Sequence, residues 1–249
     1  MTVGPEDHLL AGRIATAAGR LLVEVRDQLG TAGADAPTLG QEGDRRSHDL
    51  IAAALTRAHP DDAVLSEEGA DDPRRATAER LWIVDPLDGT REYGEPPRAD
   101  WAVHVALVVS GVPVVGAVAL PAQRRTLATQ PAPPPLPPAP ERPRVIVSRS
   151  RPPAVALTVA EALGADVVEM GSAGAKAMAV VLGAADVYVH AGGQYEWDSA
   201  APVAVALAAG LHASRLDGSS LTYGHADPYL PDLLICRREL AEQVLATVS

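Results

Sequence analysis

Leu81-Trp82-Ile83-Val84-Asp85-Pro86-Leu87-Asp88-Gly89-Thr90-Arg91-Glu92-Tyr93 holds the most informative chemistry of this chain. An apolar run of strand character stops at two aspartates three residues apart, with a proline stiffening the bend between them. The spacing predicts a buried strand followed by a tight Asp-Pro-Leu-Asp turn that points the Leu87 carbonyl inward. Gly89 would let backbone N–H groups approach a phosphate. A helix starting near Thr90 would present its positive N-terminal end to the same anion, and the Thr90 hydroxyl could orient a water. By itself, Asp-Pro-x-Asp-Gly is an ordinary turn sequence. Its chemistry depends on other carboxylates joining it.

Three further acidic clusters offer themselves, each expected at a strand end or a turn. They are Gly43-Asp44-Arg45-Arg46, Leu65-Ser66-Glu67-Glu68-Gly69 and Trp197-Asp198-Ser199-Ala200-Ala201. Hard divalent cations take oxygen ligands. Glu67, Asp85, Asp88, Asp198 and the Leu87 carbonyl together could hold two of them, placed to clamp an in-line phosphoryl displacement. Each piece has a plainer account. Glu67-Glu68 reads as a solvated pair, and Asp198 before Ser199-Ala200-Ala201 reads as a helix N-cap.

The bulk properties narrow the class. With 249 residues, 47% of them apolar, the chain can bury a full core. A net charge of −11 opposes a nucleic-acid polymer as partner. No apolar run reaches the ~20 residues of a membrane span, and the start, Met1 to Glu6, is too polar for a secretory leader. One cysteine, Cys236, sits in an apolar run. A buried inert thiol and a cytoplasmic location are expected.

Apolar spacing predicts helices over 6–29 and 47–58, with a loop from Gly30 to Gly43. Strands are expected at 63–65, 81–84, 101–109, 114–120 and 125–129, with a hairpin at Ser110-Gly111. Residues 131–143 hold eight prolines and read as a loop or linker. Beyond it, strands at 145–147, 167–168 and 187–189 alternate with helices at 153–163, 173–183 and 199–209. This gives an α+β half with helices on an antiparallel sheet (1–130), a linker (131–143) and an α/β half (144–249). The seven histidines show no zinc-hydrolase spacing, and His104 reads as a satisfied strand residue. The chain lacks a serine-hydrolase elbow, a Walker loop and a dinucleotide loop.

With these residues assembled, the chain resembles the inositol monophosphatase superfamily of Mg2+-dependent phosphatases. The resemblance rests on the strand-Asp-Pro-Leu-Asp-Gly-Thr element and the Trp-Asp-Ser-Ala-Ala element, in that order, and runs over essentially the whole chain. Within it, the similarity is to the CysQ branch of 3'-phosphoadenosine 5'-phosphate phosphatases, which remove the 3'-phosphate to give AMP, with 3'-phosphoadenylyl sulfate as a further implied substrate, and to its actinobacterial members. That narrower likeness is carried by Asp88-Gly89-Thr90-Arg91-Glu92-Tyr93, Val147-Ser148-Arg149-Ser150 and Gly171-Ser172-Ala173-Gly174-Ala175-Lys176. Two departures stand out: Gln41-Glu42-Gly43-Asp44 replaces the usual Val-Thr-x-Ala-Asp, and Arg91 replaces the more frequent Lys.

The resemblance implies a layered αβαβα sandwich. It implies two or three Mg2+ ions on Glu67, Asp85, the Leu87 carbonyl, Asp88 and Asp198, with Asp44 helping to hold a third ion and a water, and Li+ as inhibitor. Thr90, paired with Glu67, would activate the water. Gly89, Thr90, Arg91, Ser148 and Ser172 would contact substrate, with Arg149 and Lys176 as cations for a second phosphate. A homodimer acting on a small phosphorylated metabolite in sulfate assimilation is also implied. Inositol 1-phosphate and fructose 1,6-bisphosphate remain alternative substrates, and a non-catalytic metal- or nucleotide-binding regulator is a second alternative.

Overall fold

The computed structural model describes residues 3–248; Met1, Thr2 and Ser249 lie outside the described residues, so the polar start of the chain is seen only from Val3. Two long helices come first, α1 (Pro5–Thr31) and α2 (Ala36–Ala58). The expected loop from Gly30 to Gly43 is therefore wrong over its second half. Asp35 caps α2 by accepting the Thr38 N–H at 3.0 Å, and a proline follows in the first turn, a strong start signal. Gly40 and Gly43 are packing residues inside the helix, not loop signals. A Cβ at Gly40 would lie 2.6 Å from Thr90 Cγ2, and one at Gly43 2.9 Å from the Tyr93 ring. Asp44 consequently stands on a helix rather than in a turn.

The first sheet contains β1 (Ala63–Ser66), β2 (Arg80–Asp88), β3 (Ala102–Val109), β4 (Val112–Leu120) and β5 (Arg125–Ala128), in that spatial order. A short helix, α3 (Thr90–Tyr93), follows β2 directly. The sheet is mixed, not antiparallel as expected, because β1 lies parallel to β2. Ser110 and Gly111 both take positive φ at the β3–β4 hairpin, as a tight turn matched to strand twist requires.

The second half is β6 (Arg144–Ser148), α4 (Ala154–Ala162), β7 (Asp166–Met170), α5 (Ala173–Val181), β8 (Val187–Tyr195), α6 (Glu196–Ala208), β9 (His212–Ser214), β10 (Tyr229–Cys236) and α7 (Arg238–Val248). Its sheet order is β7-β6-β8-β10-β9, with β6 parallel to β7 and β8, and β10 antiparallel to both its neighbours. The strand and helix at 229–248 carry no counterpart among the expected elements.

Three apolar clusters join five layers, the middle one enclosing the central helices. One joins α1 and α2 to the first sheet through Leu22, Ile51, Trp82, Val105 and Val115. The second lies between the two sheets and contains Met178, Val180, Ala201 and Val205 of α5 and α6. The third packs α4 and α7 on the far face of the second sheet through Val147, Val159, Leu234 and Val244. Both faces of each sheet are therefore covered, which is why β2 is buried along its whole length. Small residues let the middle layer close tightly: a Cβ at Gly116 on β4 would meet the Ala201 carbonyl of α6 at 2.7 Å.

Residues 131–143 form no helix or strand, yet they are tied down. Arg237 donates to the Pro137 carbonyl, the Ala139 N–H donates to Glu239 at 3.1 Å, and Leu136 packs against the central core. Cys236 is a buried free thiol whose pKa burial pushes up to about 12. Among the described residues, no helix is long and apolar enough to cross a membrane.

Candidate active site

The Asp-Pro-Leu-Asp segment is not a turn; it is the bulged end of β2. Asp85 pairs with His104 on β3 and Asp88 with Ala102, so three steps on β2 face two on β3. In a regular strand, residues three apart point to opposite faces. The extra residue cancels that alternation and brings both carboxylates to one side. Pro86, which has no N–H to give the ladder, sits within the irregularity. Ser47 of α2 holds it by donating to the Pro86 carbonyl at 2.7 Å, and the Leu87 N–H donates back to Asp85 Oδ1 at 3.0 Å.

Two middle-layer helices aim their N-termini at this point. Asp198 lies in the first turn of α6, which begins at Glu196, three residues earlier than the sequence suggests. It is not the N-cap itself; it reaches back to accept the Tyr195 N–H at 2.7 Å, a capping-box contact. Asp88 receives the Ser172 hydroxyl at 2.5 Å and the Ala173 and Gly174 N–H groups at 3.0 and 2.6 Å, all from the start of α5. A carboxylate on a helix N-terminus is stabilised by both hydrogen bonds and dipole.

Carboxylate oxygens of Asp85, Asp88 and Asp198 lie within 4.8 Å of one another. Their ionisation reflects that crowding. Burial, then the charges of Glu67 and Asp88, pushes Asp85 well above the ordinary range. Burial and the Asp88 charge raise Asp198 to about 7. Burial opposes ionisation of Asp88 too, but His104, Ser172 and Lys176 outweigh it and bring it to about 2. Glu67 stands exposed at the end of β1, outside the trio, and is raised to about 7 by desolvation and the charges of Asp88 and Glu68, while hydrogen bonding with Asp85 pulls the other way.

Asp44 of α2 approaches from the opposite layer. Thr90 Oγ1 lies 3.2 Å from Asp44 Oδ2 and 3.1 Å from the Leu87 carbonyl. The hydroxyl partner of Thr90 is thus Asp44, not Glu67 as the resemblance implied. The other Asp44 oxygen is buried without a partner. Burial, with Glu68 and Glu67 nearby, lifts Asp44 to about 8. Buried carboxylates that repel one another, together with an orphaned buried oxygen, form a site that a hard cation would complete.

His104 is the functional neighbour that sequence reasoning missed. It is fully buried, its Nδ1 donates to the Trp197 carbonyl at 3.0 Å, and its Nε2 lies 3.2 Å from Asp88 Oδ2. Nε2 makes no well-aligned hydrogen bond, so it acts on Asp88 through charge at close range. Although burial opposes the charge, Asp88 wins and the pKa of His104 is raised. A Cβ on Gly174 would come within 1.9 Å of Nε2, so α5 can start here only with glycine at that position. A strand histidine gives no hint of this; the contact exists only through the β2–β3 register.

The expected substrate-binding residues divide. Gly89 has φ +88°, and a Cβ there would meet Ser172 Cβ at 3.0 Å, so the turn into α3 runs against the start of α5. Ser172 caps α5. Arg91 is exposed, and the Ser148 hydroxyl accepts the Arg151 N–H at 3.3 Å. Neither cation expected for a second phosphate is free. Arg149 pairs with Glu92 at 2.7 Å and Glu95 at 2.9 Å. Lys176 is buried over the Tyr188 ring, its ammonium donating to the Gly171 and Ser172 carbonyls at 3.2 and 2.6 Å. Its position beneath the Ser172 turn supports the loop that grips Asp88.

The inositol monophosphatase family model matches residues 10–132 and 143–249. The interval it leaves out falls in the proline-rich segment. A 3'-phosphoadenosine 5'-phosphate phosphatase of Mycobacterium bovis is 50% identical over 93% of this chain and 89% of its own length. The 3'(2'),5'-bisphosphate nucleotidase CysQ of Escherichia coli is 31% identical over 75% of this chain and 80% of its own. Among solved structures, CysQ from Bacteroides thetaiotaomicron superposes with a TM-score of 0.81 at 26% identity, covering 94% of this chain and 97% of that one.

Proposed function

This chain belongs to the inositol monophosphatase family, and from that premise we propose that it is a Mg2+-dependent phosphomonoesterase that removes the 3'-phosphate of 3'-phosphoadenosine 5'-phosphate, giving AMP and phosphate. The observation that carries the chemistry is the convergence of Asp85, Asp88 and Asp198 from β2 and α6 on one point. The substrate follows from the likeness to the mycobacterial phosphatase, which spans nearly the whole chain.

In this reading Asp85, Asp88, Asp198 and the Leu87 carbonyl would hold two Mg2+ ions, Glu67 would join them from the rim, and Asp44 with its unpartnered oxygen would support a third ion or a water. Bound Mg2+ would supply charge against the developing phosphoryl and leaving oxygens and would make a nearby water acidic. The chain's own groups do the rest. Thr90, fixed by Asp44, orients the attacking water, and Glu67 at the rim is the carboxylate that takes its proton. His104 and the start of α5 keep Asp88 ionised and aimed. Gly89, Arg91, Ser148 and Ser172 face the substrate. The two lobes, 1–130 and 144–249, close the site between them, with 131–143 as the connecting strap. We extend the reading to inhibition by Li+, a cytoplasmic homodimer and a place in sulfate assimilation.

A phosphate-release panel tests it, with Mg2+ and with added Li+. 3'-Phosphoadenosine 5'-phosphate should exceed inositol 1-phosphate and fructose 1,6-bisphosphate in kcat/KM by at least about tenfold. Inositol phosphate winning by that margin overturns the substrate, and no release from any of the three overturns the enzyme.

A further inference from the structure

The chain has only five Tyr and three Trp, and three of these eight gather at one place beside the carboxylates. Tyr195 and Trp197 stack with ring centroids 4.8 Å apart and planes 12° from parallel. Tyr229 meets Tyr195 edge-on at 6.0 Å, held by the pairing of the two residues across β8 and β10. Trp197 is half-buried against the central core, whereas Tyr195 and Tyr229 are 42% and 44% exposed. Neighbouring exposed rings form a contiguous apolar patch, the kind of surface that marks a binding site.

The position of Tyr195 says what that is. Its own N–H holds the Asp198 carboxylate at 2.7 Å, so the ring is anchored to the same short segment as the phosphate site. Space beside it is open. Gly192 and Gly193 take positive φ just before it, and a side chain at Gly193 would meet nothing within 4 Å. The energy that separates a nucleotide from any other phosphate must come from somewhere, and Arg149 and Lys176 are already engaged. A flat π-face is the complementary surface for a flat heterocycle.

We infer that Tyr195, backed by Trp197 and flanked by Tyr229, is the surface on which the purine base of the substrate stacks while its phosphate lies at Asp85, Asp88 and Asp198. This specificity role rests on the phosphatase reading above. The Trp197–Tyr195 stack is the base's preformed partner, and Tyr229, whose hydroxyl accepts the Gly193 N–H at 3.3 Å, fixes the edge of the platform.

The test compares Tyr195→Leu, Tyr195→Phe and Tyr229→Leu in the full chain. Base stacking predicts that the preference in kcat/KM for 3'-phosphoadenosine 5'-phosphate over inositol 1-phosphate falls about tenfold in Tyr195→Leu, mainly through KM, and stays near wild type in Tyr195→Phe. Calorimetric affinity for AMP should weaken by a similar factor. An unchanged preference and unchanged AMP affinity in Tyr195→Leu overturn the platform, as does an equal loss in Tyr195→Phe. If Tyr195→Leu fails to fold, Tyr229→Leu must lower the same preference or the inference falls. A wild type that binds AMP but releases no phosphate would defeat the phosphatase reading while leaving the stacking measurement intact.

Discussion

The Ser172 hydroxyl donates to the Asp88 carboxylate at 2.5 Å, joining residues 84 apart in sequence and on opposite sides of the linker. Ser172 also caps α5 by accepting the Ala175 N–H at 2.9 Å. One side chain therefore starts the helix and aims the carboxylate at the end of β2.

Ser172→Ala removes both contacts. Loss of the cap should cost about 1 kcal/mol of stability, read from a denaturant midpoint. Loss of the aiming hydrogen bond should raise the Mg2+ concentration for half-maximal activity about 10–100-fold, the usual cost of removing support from a metal ligand. Retention of wild-type Mg2+ dependence would show that the two backbone N–H groups suffice.

Asp198→Asn should separate function from stability. Activity should drop by about three orders of magnitude, because a ligand and its charge are lost together. The metal-free protein should melt higher than wild type, since a carboxyl raised to about 7 by burial and Asp88 no longer needs to ionise. Thermal melts with and without Mg2+ read this directly: Mg2+ should stabilise wild type more than the variant.

Metal-free protein should lose stability as pH rises from about 5 to 8.5. Asp198 and Glu67 are raised to about 7 and Asp44 to about 8, so in that window the folded state holds protons the unfolded chain has released. Their stabilisation is complete below the unfolded carboxyl range and is lost as pH passes through the folded values. His104, also raised, works in the same direction. Asp88, lowered to about 2, is already ionised in both states and contributes no slope. Saturating Mg2+ should flatten or reverse the trend. A metal-free melting temperature that climbs with pH would contradict the crowding of these carboxyls.

Asp186 offers a structural control far from the carboxylate cluster. It is fully buried and receives Arg144 at 3.0 Å and Arg237 at 2.7 Å, while its backbone carbonyl accepts the Arg237 N–H at 3.1 Å. Asp186→Ala leaves one buried and one half-exposed guanidinium without their partner and should cost about 3–5 kcal/mol. Chemical unfolding measures the cost, and kcat of the folded fraction should be retained.

Much of this was legible because the signals are local. The β2 apolar run, the hairpin at Ser110-Gly111 and the alternation after Arg144 depend on periodicity within a few residues. Asp85, Asp88 and Asp198 could be chosen as a set because hard-cation chemistry limits the residue types. What failed was read through tertiary contacts. Gly40 and Gly43 suggested a loop because a lone sequence cannot tell a glycine that frees the backbone from one that makes room for Thr90 and Tyr93. His104 carries no local signal of its role, because its neighbours, Asp88 and the Trp197 carbonyl, arrive from an adjacent strand and from a helix 93 residues on.

The sequence by itself determined most elements as far as α6, their hydrophobic faces and the inventory of carboxylates, since these follow from short-range periodicity and residue chemistry; it indicated neither the start of α2 nor β10 and α7. Only the tertiary structure decided which of those groups meet. A one-residue bulge put Asp85 and Asp88 on the same side of β2. The starts of α5 and α6 brought Ser172 and Asp198 to them. Arg149 and Lys176 became internal partners rather than free cations, because Glu92 and the Gly171–Ser172 carbonyls reach them first. Charge and side-chain type are properties of a residue. Proximity, and with it shifted ionisation and a cation site, is a property of the fold.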